Sequence, residues 1–255
     1  MQLGVVLHDF ADEVQVLDDL LSTLDPRDWF KPTPAEGWDT RDTITHLAVA
    51  DEMALECVVQ DRVPSLMQQG MDALLEGEDA LLAAEASMMQ RGRALEPAAV
   101  HEWWRTGNAA LRAALAGVDP ARRLPWGPNV MSPVSFVTAR LMETWAHGLD
   151  CFDAAGVEAI DTDRLRHVAH IGLRSLPYAF LGAGEPGPGP VRLELTSPSG
   201  ARWELGPTDA PTLITGTASD FCRVAVRRDR RGEAARLVGT GPDAEAVLRN
   251  VKAYL

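Results

Sequence analysis

The sequence predicts an α+β chain: a long helical N-terminal region followed by a small α/β unit. Three observations carry this. Apolar residues recur at helical spacing through the first 180 or so residues. The stretch Gly182-Ala183-Gly184-Glu185-Pro186-Gly187-Pro188-Gly189-Pro190 then breaks the pattern with linker composition. Beyond it, Val191-Arg192-Leu193-Glu194-Leu195 and Arg202-Trp203-Glu204-Leu205 alternate apolar and charged residues, as half-exposed strands do. The expected divisions are 1–158 for the helical unit, 159–190 for a helical connector and linker, and 191–255 for the α/β unit.

Residues 2–24 place Val5, Leu7, Val14, Val16, Leu17, Leu20, Leu21 and Leu24 in a helix-like recurrence that Pro26 ends. After a loop rich in Pro and Gly, Asp39 is a plausible N-cap, with Asp42 in the first turn of a helix reaching about Arg62. A third helical stretch covers about 66–92. A fourth starts near Pro97 and stops near Gly117. The segment containing Pro120, Pro125, Trp126-Gly127-Pro128 and Pro133 reads as a loop, and a strong helix follows over about 133–155, ended by Gly156. A further helix is expected over 161–181. In the last unit, Pro198-Ser199-Gly200 closes a hairpin, and Thr212–Thr215 is a third strand. Ser219–Arg228 follows as a helix, Ala235–Thr240 as a strand and Pro242–Tyr254 as a closing helix.

The net charge of −13 is unevenly spread. Residues 191–255 carry 10 basic and 8 acidic groups, which leaves 14 basic and 29 acidic in 1–190. Phosphate binding needs a basic surface, so nucleic acid and anionic membranes are excluded as partners of the acidic part. No apolar run is long enough to span a bilayer, and no secretory pattern opens the chain, so the expected location is the cytoplasm. Cys57, Cys151 and Cys222 are far apart, which argues against a disulfide framework and against a cysteine-based zinc site; each reads as a small buried hydrophobe.

The helix near 143 carries the chemistry. Arg140, Glu143, His147 and Asp150 are spaced by three and four and share one face, while Leu141, Trp145, Leu149 and Phe152 supply apolar flanks. A buried Glu must be paired or ligating. Zinc accepts imidazole and carboxylate together, and a catalytic zinc uses three protein ligands with one position open. A second imidazole from a facing helix completes the set, and His46, within Thr43-Ile44-Thr45-His46-Leu47-Ala48, is the best candidate. A plainer reading is also open: Glu-x3-His pairs occur on solvent-facing helices, and His46 can be a satisfied core histidine.

Gly37-Trp38-Asp39-Thr40-Arg41-Asp42 followed by His46-Leu47-Ala48, together with Ala139-Arg140-Leu141-Met142-Glu143-Thr144-Trp145-Ala146-His147-Gly148-Leu149-Asp150, resembles the DinB-like metal-binding bundle. In particular it resembles the mycothiol-dependent maleylpyruvate isomerase family. The resemblance implies a DinB-like four-helix bundle over the first 155 or so residues and a small C-terminal α/β domain related to sterol-carrier folds. It implies His46, Glu143 and His147 as ligands of a divalent metal, with Asp150 either orienting a ligand imidazole or paired to Arg140.

The resemblance further implies a low-molecular-weight thiol, mycothiol or a relative, made nucleophilic by the metal for isomerisation or thiol transfer on a small electrophile. An arginine of the C-terminal unit, Arg223 or Arg227, is expected to serve the reaction, although an arginine run at a helix end also reads as a solvated face. Arg140, Trp126, His167 and His170 are further pocket candidates; for His167 and His170 packing and hydrogen bonding is the alternative role, and for Trp126 packing. Residues 164–184 resemble a less characterised metal-binding branch, which leaves maleylpyruvate itself open as the substrate. Thiol-independent hydrolysis and a non-catalytic binding module with structural metal, with His170 as a fourth ligand, are the alternatives. The expected chain is a monomer or homodimer.

Overall fold

The computed structural model describes residues 2–253. Helix α1 (Leu3–Thr23) buries Val6, Phe10, Val14, Leu17, Leu20 and Leu21, a stripe of period near 3.6. Val5, expected in that stripe, is exposed, and Val6 and Phe10 are its buried members there. Helix α2 (Thr40–Gln60) starts where Asp39 Oδ1 accepts the Asp42 N–H at 2.8 Å, the expected cap. The stretch expected as one helix over 66–92 is two, α3 (Ser65–Glu76) and α4 (Glu78–Arg93). They part at Gly77, whose φ of 119° no L-residue adopts comfortably. Helix α5 (Pro97–Ala116) opens on its proline.

The expected loop after α5 contains a short hairpin, β1 (Leu124–Trp126) paired antiparallel with β2 (Asn129–Met131). Helix α6 (Pro133–Ala155) is capped by Ser132 Oγ on Ser135 N and ends at Gly156 with φ 70°. Helices α1, α2, α5 and α6 pack as a four-helix bundle around Phe10, Leu17, Ile44, Leu47, Trp104, Leu111 and Phe136.

Helix α4 lies against α2 at Gly92. A Cβ there would sit 1.7 Å from Thr45 Oγ1, so only glycine permits the approach. Two bidentate arginines hold α4 in place: Arg91 on Glu52 and Arg93 on Asp42.

The chain divides into two compact units, Met1–Ala159 and Ile160–Leu255. In the second, the expected helix over 161–181 is α7 (Leu165–Arg174) and α8 (Leu176–Gly182), separated where Pro177 enters the first turn of α8. Strands β3 (Val191–Thr196), β4 (Arg202–Leu205) and β5 (Thr212–Thr217) precede α9 (Ala218–Ala225). Then come α10 (Glu233–Arg236), β6 (Val238–Thr240) and α11 (Ala244–Asn250).

The sheet order is β4-β3-β5-β6, with β3 and β5 parallel and the other pairs antiparallel. Val191, Leu193 and Leu195 bury one face of β3, as the alternation requires. The expected strand over Ala235–Thr240 is instead α10 followed by β6, and α11 stops at Asn250; Tyr254 lies outside the described residues.

Candidate metal centre

Helices α2 and α6 face each other in opposite directions, since His46 meets Glu143 and His147 while Asp51 meets Arg140. One donor atom from each of His46, Glu143 and His147 lies within 4.8 Å of the other two. His46 Nε2 is 3.7 Å and His147 Nε2 3.4 Å from Glu143 Oε2. Three ligands each about 2.1 Å from one zinc ion in tetrahedral geometry stand about 3.4 Å apart, so the donor set and its spacing fit a divalent ion. The three side chains keep 24, 17 and 11% of their surface, which leaves the cluster accessible from outside the bundle.

The protonation states agree with ligation. Burial lowers the His46 pKa and so keeps its imidazole neutral. Burial works against the Glu143 charge, but His147, His46 and Arg140 outweigh it and hold the carboxyl well below its usual range. Ligands must be a neutral imidazole and an ionised carboxylate, and these two residues meet that condition.

Around the cluster, Asp150 Oδ2 lies 3.3 Å from His147 Nδ1. Arg140 pairs with Asp51: Nε donates to Oδ1 at 3.0 Å, and Nη2 lies 3.0 Å from the same oxygen without hydrogen-bond alignment. Asn108 Nδ2 donates to the other Asp51 oxygen at 2.8 Å, and Arg112 Nε donates to Asn108 Oδ1. Burial pushes the Asp51 carboxyl up, opposed by Arg140 and Asn108.

Two residues here were not singled out as site residues. Trp38 lies 5.3 Å from the His46 ring and stacks at 6.0 Å and 19° on His147. Its position just before the α2 cap, over the first turns of that helix, was the available signal. Asp51 gave none, because its partner is 89 residues away.

The remaining candidates belong to other elements. Trp126 packs edge-on against Phe136, two turns of α6 before Glu143, about 10 Å along the axis. His167 is buried and His170 half-buried on α7, where burial and then Arg174 lower the His170 pKa. Arg223 on α9 forms an ion pair with Asp161. Arg227 was expected inside the helix over Ser219–Arg228, but α9 ends at Ala225; Arg227 sits in the left-handed turn after it, exposed, donating to Arg249 O.

The mycothiol maleylpyruvate isomerase N-terminal domain family matches residues 10–152. Two uncharacterised proteins of Mycobacterium tuberculosis, from strains CDC 1551 / Oshkosh and ATCC 25618 / H37Rv, are each 36% identical over 252 residues, 98% of this chain and 95% of theirs. The crystal structure of the mycothiol-dependent maleylpyruvate isomerase shares the fold, with a TM-score of 0.59 and 19% identity over 95% of this chain and 97% of that one. A histidine-to-alanine mutant of that enzyme matches equally, at 18% identity. With more than half its length matched by the family and its bundle and mixed-sheet unit matched in fold, the chain belongs to the family of the mycothiol maleylpyruvate isomerase N-terminal domain.

Proposed function

We propose that this chain is a metal-dependent enzyme that uses a low-molecular-weight thiol as nucleophile on a small electrophilic substrate. The observation that carries the reading is the convergence of His46, Glu143 and His147 donors within 4.8 Å on two facing helices. Zinc is the ion this donor set suits best, and when bound it lowers the pKa of a coordinated thiol toward neutral. The chain's own residues hold and orient: His46, Glu143 and His147 supply the ligands, and Asp150 faces the far nitrogen of His147.

The thiol has to come from outside. Cys57, Cys151 and Cys222 are all buried, and burial pushes their thiols up, to about 11 for Cys57 and well above the usual range for the other two. A thiolate adding to a conjugated double bond permits rotation and then leaves unchanged, which is isomerisation; a thiolate that stays attached gives transfer. The related solved enzyme is a mycothiol-dependent maleylpyruvate isomerase, which favours the first. Among the described residues no helix is long and apolar enough to cross a membrane.

Metal analysis of the purified protein tests the reading. The expected result is about one zinc per chain, lost in His46→Ala, Glu143→Ala and His147→Ala. Unchanged stoichiometry in all three variants overturns it. Mass measurement after incubation with thiol and electrophile separates a transferred thiol from a returned one, and turnover in thiol-free buffer would point to hydrolysis instead.

A further inference from the structure

We infer that Trp38 is the positioning residue for His46, an inference that rests on the metal reading above. The two imidazoles of the cluster are held differently. His147 has Asp150 Oδ2 3.3 Å from Nδ1, the kind of partner that fixes ring orientation in metal-binding histidines. Among the described residues no hydrogen-bond partner meets Nδ1 of His46. The second torsion of a histidine is broad, so without such a partner the ring can turn unless something packs against it.

Trp38 supplies that packing. Its ring is 5.3 Å from that of His46 at 47°, within the range of aromatic contact, and it reaches across to stack on His147. The main chain that carries the indole is held by its own loop. The Trp38 carbonyl accepts from Thr33 N at 2.8 Å and Thr33 Oγ1 at 3.1 Å, and the Trp38 backbone N–H donates to Ala35 O. Asp39, the next residue, caps α2, so the Trp38 main chain is pinned to the helix that carries His46. A flat ring on an anchored main chain thus does for His46 what a carboxylate does for His147.

The test is Co2+ binding, read by chelator competition and by the d–d absorption of the bound ion, in Trp38→Leu and Trp38→Phe. Trp38→Leu keeps apolar bulk but not the flat ring, and it should bind about tenfold more weakly with an altered band shape, the scale of losing an orienting partner. Trp38→Phe should stay close to the wild type in both, which a merely structural loss would not produce. Wild-type affinity and spectrum in Trp38→Leu overturn the proposal. If that variant does not fold, Trp38→Met tests the same claim, since it keeps apolar length without a flat ring: weaker Co2+ binding supports it and unchanged binding overturns it. A wild-type chain that takes up no Co2+ is a different failure, since it removes the metal reading itself.

Discussion

In the N-terminal unit Asp51, Arg140 and Asn108 are sealed inside the bundle, whereas in the C-terminal unit Arg192, Glu194, Arg202 and Glu204 line up on the open face of β3 and β4. The first unit is also far more acidic: of the 37 acidic and 24 basic residues, 26 and 11 lie in 1–159. On the sheet, Glu194 stands directly opposite Glu204, an unfavourable like-charge pair, and Arg192 bridges the two carboxylates. Water screens the ladder through Arg202 and Glu204, which are exposed. Inside the bundle Asp51 and Arg140 are buried, and each charge depends on its protein partner. The contrast shows where charge can organise chemistry: a buried pair has one arrangement, an exposed ladder has many of nearly equal energy.

Replacing Arg140 with Met should break the contrast most. It leaves Asp51 buried without its cation, at an expected loss of about 3–5 kcal/mol in unfolding free energy. Asp51 is already pushed up by burial, and without Arg140 its folded pKa rises further above the unfolded one. The loss should therefore shrink as pH falls, and Arg140→Met combined with Asp51→Asn should recover much of it, both measurable by urea unfolding. Next comes Gly92→Ala, which drives a methyl group into Thr45 beside His46 and should cost about 1–3 kcal/mol. Chelator competition on that variant would show whether the displaced α2 carries His46 with it; weaker metal binding is expected.

Smaller still is Asp220→Asn in the second unit. Burial raises the Asp220 pKa, but Arg236 and Thr217 outweigh it and leave it lowered. A lowered folded value means stability that is present above the unfolded carboxylate value and lost as pH falls through the folded one. The difference in melting temperature between wild type and Asp220→Asn should thus be visible near neutral pH and close in acid. Smallest is Arg202→Ala on the ladder, where Arg192 still joins Glu194 and Glu204; no change in melting temperature is expected.

The long helices were readable because their signals are local: Asp39 before α2, Pro97 at the start of α5, Pro133 and Gly156 at the two ends of α6. The break at Gly77 was not, since one glycine costs a helix only about 1 kcal/mol and its φ is set by how α3 and α4 pack. The hairpin at 124–131 has three-residue strands with a proline in one, too short for a period to show. In the cluster, Glu143 and His147 are legible as a one-turn pair; His46 was the best candidate for the facing imidazole, and the flanking motifs tied it to that pair. Which carboxylate an arginine meets is a tertiary fact: Arg140 stands three residues from Glu143 and pairs with Asp51 on another helix.

The antiparallel pairing of α2 and α6 has a consequence for assembly of the bundle. Apolar stripes tolerate sliding, because one leucine replaces another after each turn. A slide of one turn along α6, about 5.4 Å, would carry Glu143 away from His46 and Arg140 away from Asp51 at the same time. Every slipped register then leaves several buried ionic groups without partners, while the native register leaves them matched. The polar rungs at 46/143 and 51/140 therefore work as a ruler: they select one alignment of two otherwise interchangeable greasy surfaces.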